Sequence, residues 1–238
     1  MSFLTTALHL ARNPIDERLR SVTESDVLRA VGQEQIGEAG FLALLSPAAG
    51  AHLEPMARRA NGLTLRHFGR TIGLFTPLYV SNHCANHCRY CGFAAKNGIA
   101  RSMLTLDEVR AEGEAIAATG LADLLLLTGE APHKAGVDYL EACVRTLRPL
   151  FPSISVEVFP METADYARLA EAGVTGLTVF QETYDPALYA ELHPAGPKRD
   201  YAFRLDTPRR GAEAGLRVVN IGALLGLSDW RREIFAAG

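Results

Sequence analysis

From about residue 105 onward the chain alternates between amphipathic stretches with helical spacing and short apolar runs bounded by turn residues. Leu124-Leu125-Leu126-Leu127 reads as a strand buried on both faces, the mark of a parallel sheet covered by helices. Leu78–Asn82, Ser155–Phe159, Leu177–Gln181 and Val218–Gly222 read as strands too. Between them lie helices with clear punctuation. Thr105-Leu-Asp-Glu108 is a capping box whose helix runs to Thr119, with Gly120 as its left-handed stop. Val137–Leu150 ends against Pro149 and Pro152, and Thr163–Ala172 is closed by Gly173. Asp185-Pro186 is an N-cap and first-turn pair. A helical stretch over Asp200–Ala214 is interrupted by Pro208, and Trp230–Phe235 begins another helix. The first 70 residues read as mostly helical, with a helix over Asp26–Ala39 stopped by Gly40 and another over about Ala51–Arg66.

Five strands, each followed by a helix or the start of one, build an α/β fold: a (β/α) barrel or a doubly wound sheet. A closed barrel needs eight strands. Either the barrel is partial and open, or the polypeptide lacks its C-terminal part.

Composition narrows the setting. Of 238 residues, 48% are hydrophobic and 21% charged, as in an ordinary globular protein. A net charge of −3 argues against nucleic acid or an anionic membrane as partner. Arg209-Arg210 and Arg231-Arg232 are isolated pairs, expected on a solvated surface rather than along a phosphate track. The opening Met1-Ser2-Phe3-Leu4 has no cationic residue before its apolar positions, so no signal peptide is expected. Runs such as Leu124–Leu127 are far too short to span a bilayer. A cytoplasmic protein is the expectation.

Three of the four cysteines fall within Cys84-x-x-x-Cys88-x-x-Cys91. Clustered thiols in a reducing compartment bind metal or react; they do not form a disulfide framework. Thiolate selects iron–sulfur clusters or zinc. Three thiolates from one short loop can reach three corners of a 4Fe–4S cube and leave the fourth iron open. A structural zinc ion wants four ligands, and His83 or His87 could supply the fourth. Zinc sites, however, pair C-x₂₋₄-C with a distant second pair, and no such pair stands here. Cys143 sits mid-helix as a small buried hydrophobe.

The cysteine spacing is the hallmark of radical S-adenosylmethionine (SAM) enzymes. Ser81–Phe93 resembles the cluster loop of the tyrosine lyase (2-iminoacetate synthase, ThiH) family of thiamine-thiazole biosynthesis. The resemblance continues through Leu126–Glu130, Val156–Val158, Gln181–Tyr184, Arg204–Pro208 and Ile221–Asp229. It implies a partial (β/α) TIM-type barrel of the radical SAM kind over 71–238, preceded by a helical segment over 1–70 and incomplete at the C-terminus. It also implies a carbon–carbon lyase. An adenosyl radical would take hydrogen from the amino group of L-tyrosine, and the Cα–Cβ bond would break to give 2-iminoacetate and p-cresol. The former would pass to thiazole synthase, and reduced flavodoxin or ferredoxin would donate electrons.

The same resemblance implies site roles. Cys84, Cys88 and Cys91 would ligate the cluster. Thr128, Gly129 and Glu130 would present backbone carbonyls to the SAM ammonium; a glycine there lets backbone approach a ligand closely. Glu182 and Arg204 would hold the methionine moiety and ribose, Arg204 from the start of a helix. Asn220–Gly226 would pack near adenine, with Tyr90 placing its backbone against the same ring. Glu157 needs no family: a carboxylate inside an apolar strand is costly without a partner or ligand. Rival readings are a hydrogenase-maturation tyrosine lyase, whose extra C-terminal cluster region is missing here, a truncated relative that only binds the cluster, and a zinc-stabilised binding module.

Overall fold

The computed structural model describes residues 3–12 and 15–238. Five helices come first: α1 (Phe3–Arg12), α2 (Asp16–Ser21), α3 (Glu24–Gly32), α4 (Glu38–Leu45) and α5 (Leu53–Phe68). Then follow β1 (Phe75–Ser81), α6 (Leu106–Ala117), β2 (Asp123–Thr128), α7 (Val137–Leu147) and β3 (Ser153–Glu157). The remainder is α8 (Thr163–Ala172), β4 (Gly176–Glu182), α9 (Pro186–Leu192), α10 (Tyr201–Leu205), α11 (Thr207–Glu213), β5 (Val218–Ala223) and α12 (Trp230–Ala237).

The five strands pair in chain order, β1-β2-β3-β4-β5, and every pairing is parallel. Register explains the sequence pattern. Tyr79, Leu127 and Glu157 stand side by side on one face, and Leu78, Leu126 and Val156 on the other. The second set, with Leu124, Ile154, Leu177 and Val179, packs against Val109, Leu140, Val144, Leu147 and Leu169 of the helices to form the main core. The opposite face is the inside of an open barrel, where Phe75 and Tyr79 remain exposed. Helix–sheet packing is tight enough that a Cβ on Gly113 of α6 would meet Leu147 Cδ2 of α7 at 2.5 Å.

Local signals act as expected in the α/β part. Thr105 and Glu108 form both bonds of a capping box. Gly120 (φ +87°) and Gly173 (φ +121°) take backbone that other residues resist. The N-terminal prediction needs correction. A second capping box, Thr23 with Asp26, starts α3 early, and α3 ends at Gly32. Gly40 stops nothing: it lies inside α4, which buries Leu42, Ala43 and Leu45. Leu42 and Leu45 of α4 form a smaller core with Ile15, Leu19 of α2 and Phe235 of α12, so the N-terminal segment and the last helix are packed together. Pro208 likewise does not break a helix. It occupies the first turn of α11, and the break falls earlier, at Asp206.

Candidate active site

Cys84, Cys88 and Cys91 lie in the loop after β1, at the carboxyl end of the strands. The expected site residues meet there. A cleft of about 200 Å³ is lined by the three cysteines together with Tyr90, Thr128, Gly129, Glu130, Glu157, Glu182 and Arg204. Strand ends from β1 to β4 thus converge as in barrel enzymes. Asn220–Gly226 is less engaged: Asn220 Nδ2 donates to Thr178 Oγ1, deeper in the barrel.

The loop is held by backbone as well as side chains. Ala85 N–H donates to the Glu130 carbonyl at 2.9 Å. Of the carbonyls expected to face a ligand, that one is therefore already engaged by the loop. Gly129 is required by space: a Cβ there would stand 2.3 Å from the His83 carbonyl oxygen. Arg101 grips the far end of the loop, donating to the carbonyls of Asn82, Phe93 and Ala94 at 2.7–2.9 Å.

Two buried ion pairs set the electrostatics. Arg204 Nη1 donates to Glu130 Oε1 at 2.7 Å, and its Nε donates to the Phe180 carbonyl at 2.8 Å. Arg204 lies near the end of α10, not its start, and is 6% exposed, so it is no surface arginine. Burial pushes the Glu130 carboxyl up, but the Arg204 and Lys198 charges and the Arg204 and Asn86 hydrogen bonds outweigh it and hold it below the usual range. Lys198 Nζ donates to Glu182 Oε1 at 2.6 Å. Glu182 is the only non-glycine residue with positive φ (+72°) among those described, a strained conformation of the sort that accumulates at functional sites. The Glu157 side chain has no hydrogen bond or ion pair among the described residues. Burial, then the Glu182 charge, raises its carboxyl.

Sequence reasoning missed Asn86, Lys198, His193 and Arg101. Asn86 Nδ2 donates to Glu130 Oε2, and its Oδ1 accepts from Lys198 N–H, both at 2.8 Å. The turn Gly196-Pro197-Lys198 was the visible signal.

A sequence profile of the radical SAM superfamily matches residues 78–237. The chain belongs to that superfamily. It is 43% identical to the 2-iminoacetate synthase of Salmonella typhimurium over 219 residues, 92% of this chain and 58% of that protein. The Escherichia coli 2-iminoacetate synthase is 44% identical over 215 residues, 90% of this chain and 57% of that one. This radical SAM chain thus spans a little over half the length of the curated relatives it matches. Its fold superposes on HydG, a maturase of the FeFe-hydrogenase, with TM-score 0.89 and 31% identity, covering 96% of this chain and 52% of that one. Methylornithine synthase (PylB) matches at TM-score 0.74 and 23% identity, a likeness of fold.

The cofactors of the family are a 4Fe–4S cluster and SAM. The residues present fit them. The donor set is three thiols on one loop. Among the described residues no three His, Cys, Asp or Glu side chains are grouped to hold a single metal ion. A cluster takes each thiolate at a different iron, so it does not need such a group. Burial pushes the Cys88 thiol up to about 11, so coordination, not the loop, must supply its thiolate. Beside the cysteines, the buried Thr128 Oγ1 has no partner among the described residues, which suits a polar ligand. No helix among those residues is long and apolar enough to cross a membrane.

Proposed function

We propose that the chain carries the catalytic half of a tyrosine lyase, cleaving the Cα–Cβ bond of L-tyrosine to 2-iminoacetate and p-cresol. The observation that carries this is the cysteine loop facing Thr128, Glu130, Glu157, Glu182 and Arg204 across one cleft. The 43–44% identity to two 2-iminoacetate synthases, against 31% to the hydrogenase maturase, favours thiazole supply over hydrogenase maturation. On this reading residues 71–238 form the barrel unit and 1–70 a helical segment beside it. The product would pass to thiazole synthase in the cytoplasm, with reduced flavodoxin or ferredoxin as electron donor.

Cys84, Cys88 and Cys91 would hold three irons and leave one open. When bound, the cluster and SAM supply a one-electron cleavage of the sulfonium that yields the adenosyl radical. The chain's own residues orient and shield. Three carboxylates (Glu130, Glu157, Glu182) outnumber two cations (Arg204, Lys198) in the cleft, a balance suited to a cationic sulfonium amino acid. Glu157, lacking a partner, offers oxygens to an ammonium or ribose hydroxyl. Arg204 keeps Glu130 ionised and fixed, so its influence on the ligand runs largely through that carboxylate.

The test is anaerobic reconstitution followed by incubation with reductant, SAM and tyrosine. Both 5′-deoxyadenosine and p-cresol are expected. 5′-Deoxyadenosine without p-cresol rejects the lyase and keeps the superfamily chemistry. Stoichiometric zinc after anaerobic purification rejects the cluster.

A further inference from the structure

The segment from Leu192, the last residue of α9, to Lys198 lies along the cysteine loop like a template. Arg89 N–H donates to the Leu192 carbonyl and His87 N–H to the Ala195 carbonyl, each at 3.0 Å. Thus Cys88 is bracketed on both sides by backbone bonds to this segment. Gly196 (φ +93°) makes the approach possible, because a Cβ there would lie 2.6 Å from the Ala85 carbonyl oxygen and from Asn86 Cα.

Side chains add to these contacts: Asn86 Oδ1 accepts from Lys198 N–H, exposed Arg89 Nη1 donates to Glu191 Oε1 at 2.7 Å, and a buried bond joins two rings. Tyr90 Oη lies 2.8 Å from His193 Nε2, and His193 Nδ1 lies 2.8 Å from the Tyr189 carbonyl. A carbonyl only accepts, so Nδ1 carries the proton, Nε2 accepts, and the Tyr90 hydroxyl donates. His193 is 1% exposed, and its ring is sandwiched between Tyr189 (centroids 4.1 Å) and Tyr90 (5.6 Å, edge-on). Burial pulls the imidazole down to about 4, which keeps the ring uncharged at neutral pH, and the Tyr189 carbonyl fixes its tautomer. A buried neutral histidine with both nitrogens engaged is pre-organised.

We propose that His193 is a positioning residue for the cluster: through the Tyr90 hydroxyl it fixes the Cys88–Cys91 half of the loop, and so the placement of two of the three iron ligands. The inference rests on the cluster reading above, but its loop component stands without it. Tyr90 is turned by this bond toward α9, while Lys198 Nζ of the cleft stands over its ring, 5.9 Å from the centroid.

The experiment compares Tyr90→Phe, His193→Phe and the double variant with the wild type. In metal-free protein, reaction with a thiol reagent under native conditions reads the loop, and the buried Cys143 serves as the control for global opening. Cys88 is expected to react roughly five- to tenfold faster in each variant, the opening expected from one lost hydrogen bond, with Cys143 unchanged. The double variant should match His193→Phe, which already removes the bond that Tyr90→Phe removes. After anaerobic reconstitution, the electron paramagnetic resonance line shape of the reduced cluster should change in all three. Wild-type reactivity of Cys88 in both single variants overturns the proposal, as does strict additivity. Should His193→Phe fail to fold, Tyr90→Phe decides alone, since it keeps the ring and removes only the hydroxyl. A wild type that takes up no cluster sinks the site reading, and the thiol rates still decide the clamp.

Discussion

The Arg204 guanidinium reaches back 74 residues to the Glu130 carboxylate, and both side chains are largely shut off from solvent, 7% and 12% exposed. A pair so placed owes its weight to what its loss would leave behind. Removing the guanidinium strands a buried carboxylate, an error that typically costs about 3–5 kcal/mol. Arg204→Ala and Glu130→Gln should therefore each lower the stability of the metal-free chain. A paired replacement, Arg204→Met with Glu130→Leu, should recover most of the loss. Urea unfolding measures this. Losses that simply add in the double variant would mean that the two groups are not acting on one another.

The turn before Lys198 gives a sharper steric prediction. Gly196 has φ +93°, and a Cβ would stand 2.5 Å from Asn86 Oδ1. Gly196→Ala is expected to destabilise by roughly 1–3 kcal/mol and to lower iron uptake on reconstitution. Gly98, in the same loop region, has open space around it and no positive φ, so Gly98→Ala is the matched control. Equal iron content in the two variants would detach the turn from the cluster loop.

Much of this architecture was legible because its signals are local. Four consecutive leucines bounded by turn residues read as a buried strand, and Thr105 with Glu108 writes a helix start into four residues. The cysteine spacing, likewise, is a loop-scale feature. What escaped reading depends on distance. Asn86 is an ordinary loop asparagine until Glu130 and Lys198, 44 and 112 residues away, arrive on either side of its amide. His193 looks like any polar residue after a helix; its meaning comes from Tyr90, 103 residues earlier. Gly40 misled because a glycine is permitted, not obliged, to stop a helix, and α4 gains more by burying Leu42, Ala43 and Leu45.

His193 also predicts a pH dependence. In the unfolded chain its imidazole takes up a proton near 6.5; in the folded chain burial defers this to about 4. Between those values the unfolded state binds more protons, so stability falls as pH is lowered through that window. Above about 6.5 this group contributes no slope. The change is at most about 1.4 kcal/mol per pH unit within the window. Urea midpoints measured from pH 7 to pH 4 should decline less steeply in His193→Phe than in the wild type. Identical slopes would mean that the imidazole is protonated in the folded chain.

Thr128 offers a test in which stability and ligand binding move in opposite directions. Its Oγ1 is buried without a partner among the described residues, at the edge of the cysteine cleft. An unsatisfied buried hydroxyl is a burden of about 1 kcal/mol or more on the empty chain, and Thr128→Val removes it at nearly constant volume. The metal-free variant should thus unfold at higher urea than the wild type. In the reconstituted protein the same change should weaken SAM binding by roughly tenfold, about the worth of one well-made hydrogen bond. Isothermal titration of the loaded protein supplies the second number. Lower stability in Thr128→Val would reveal that the hydroxyl already has a partner in the folded chain. Unchanged SAM affinity would place the ligand out of reach of the Thr128 hydroxyl.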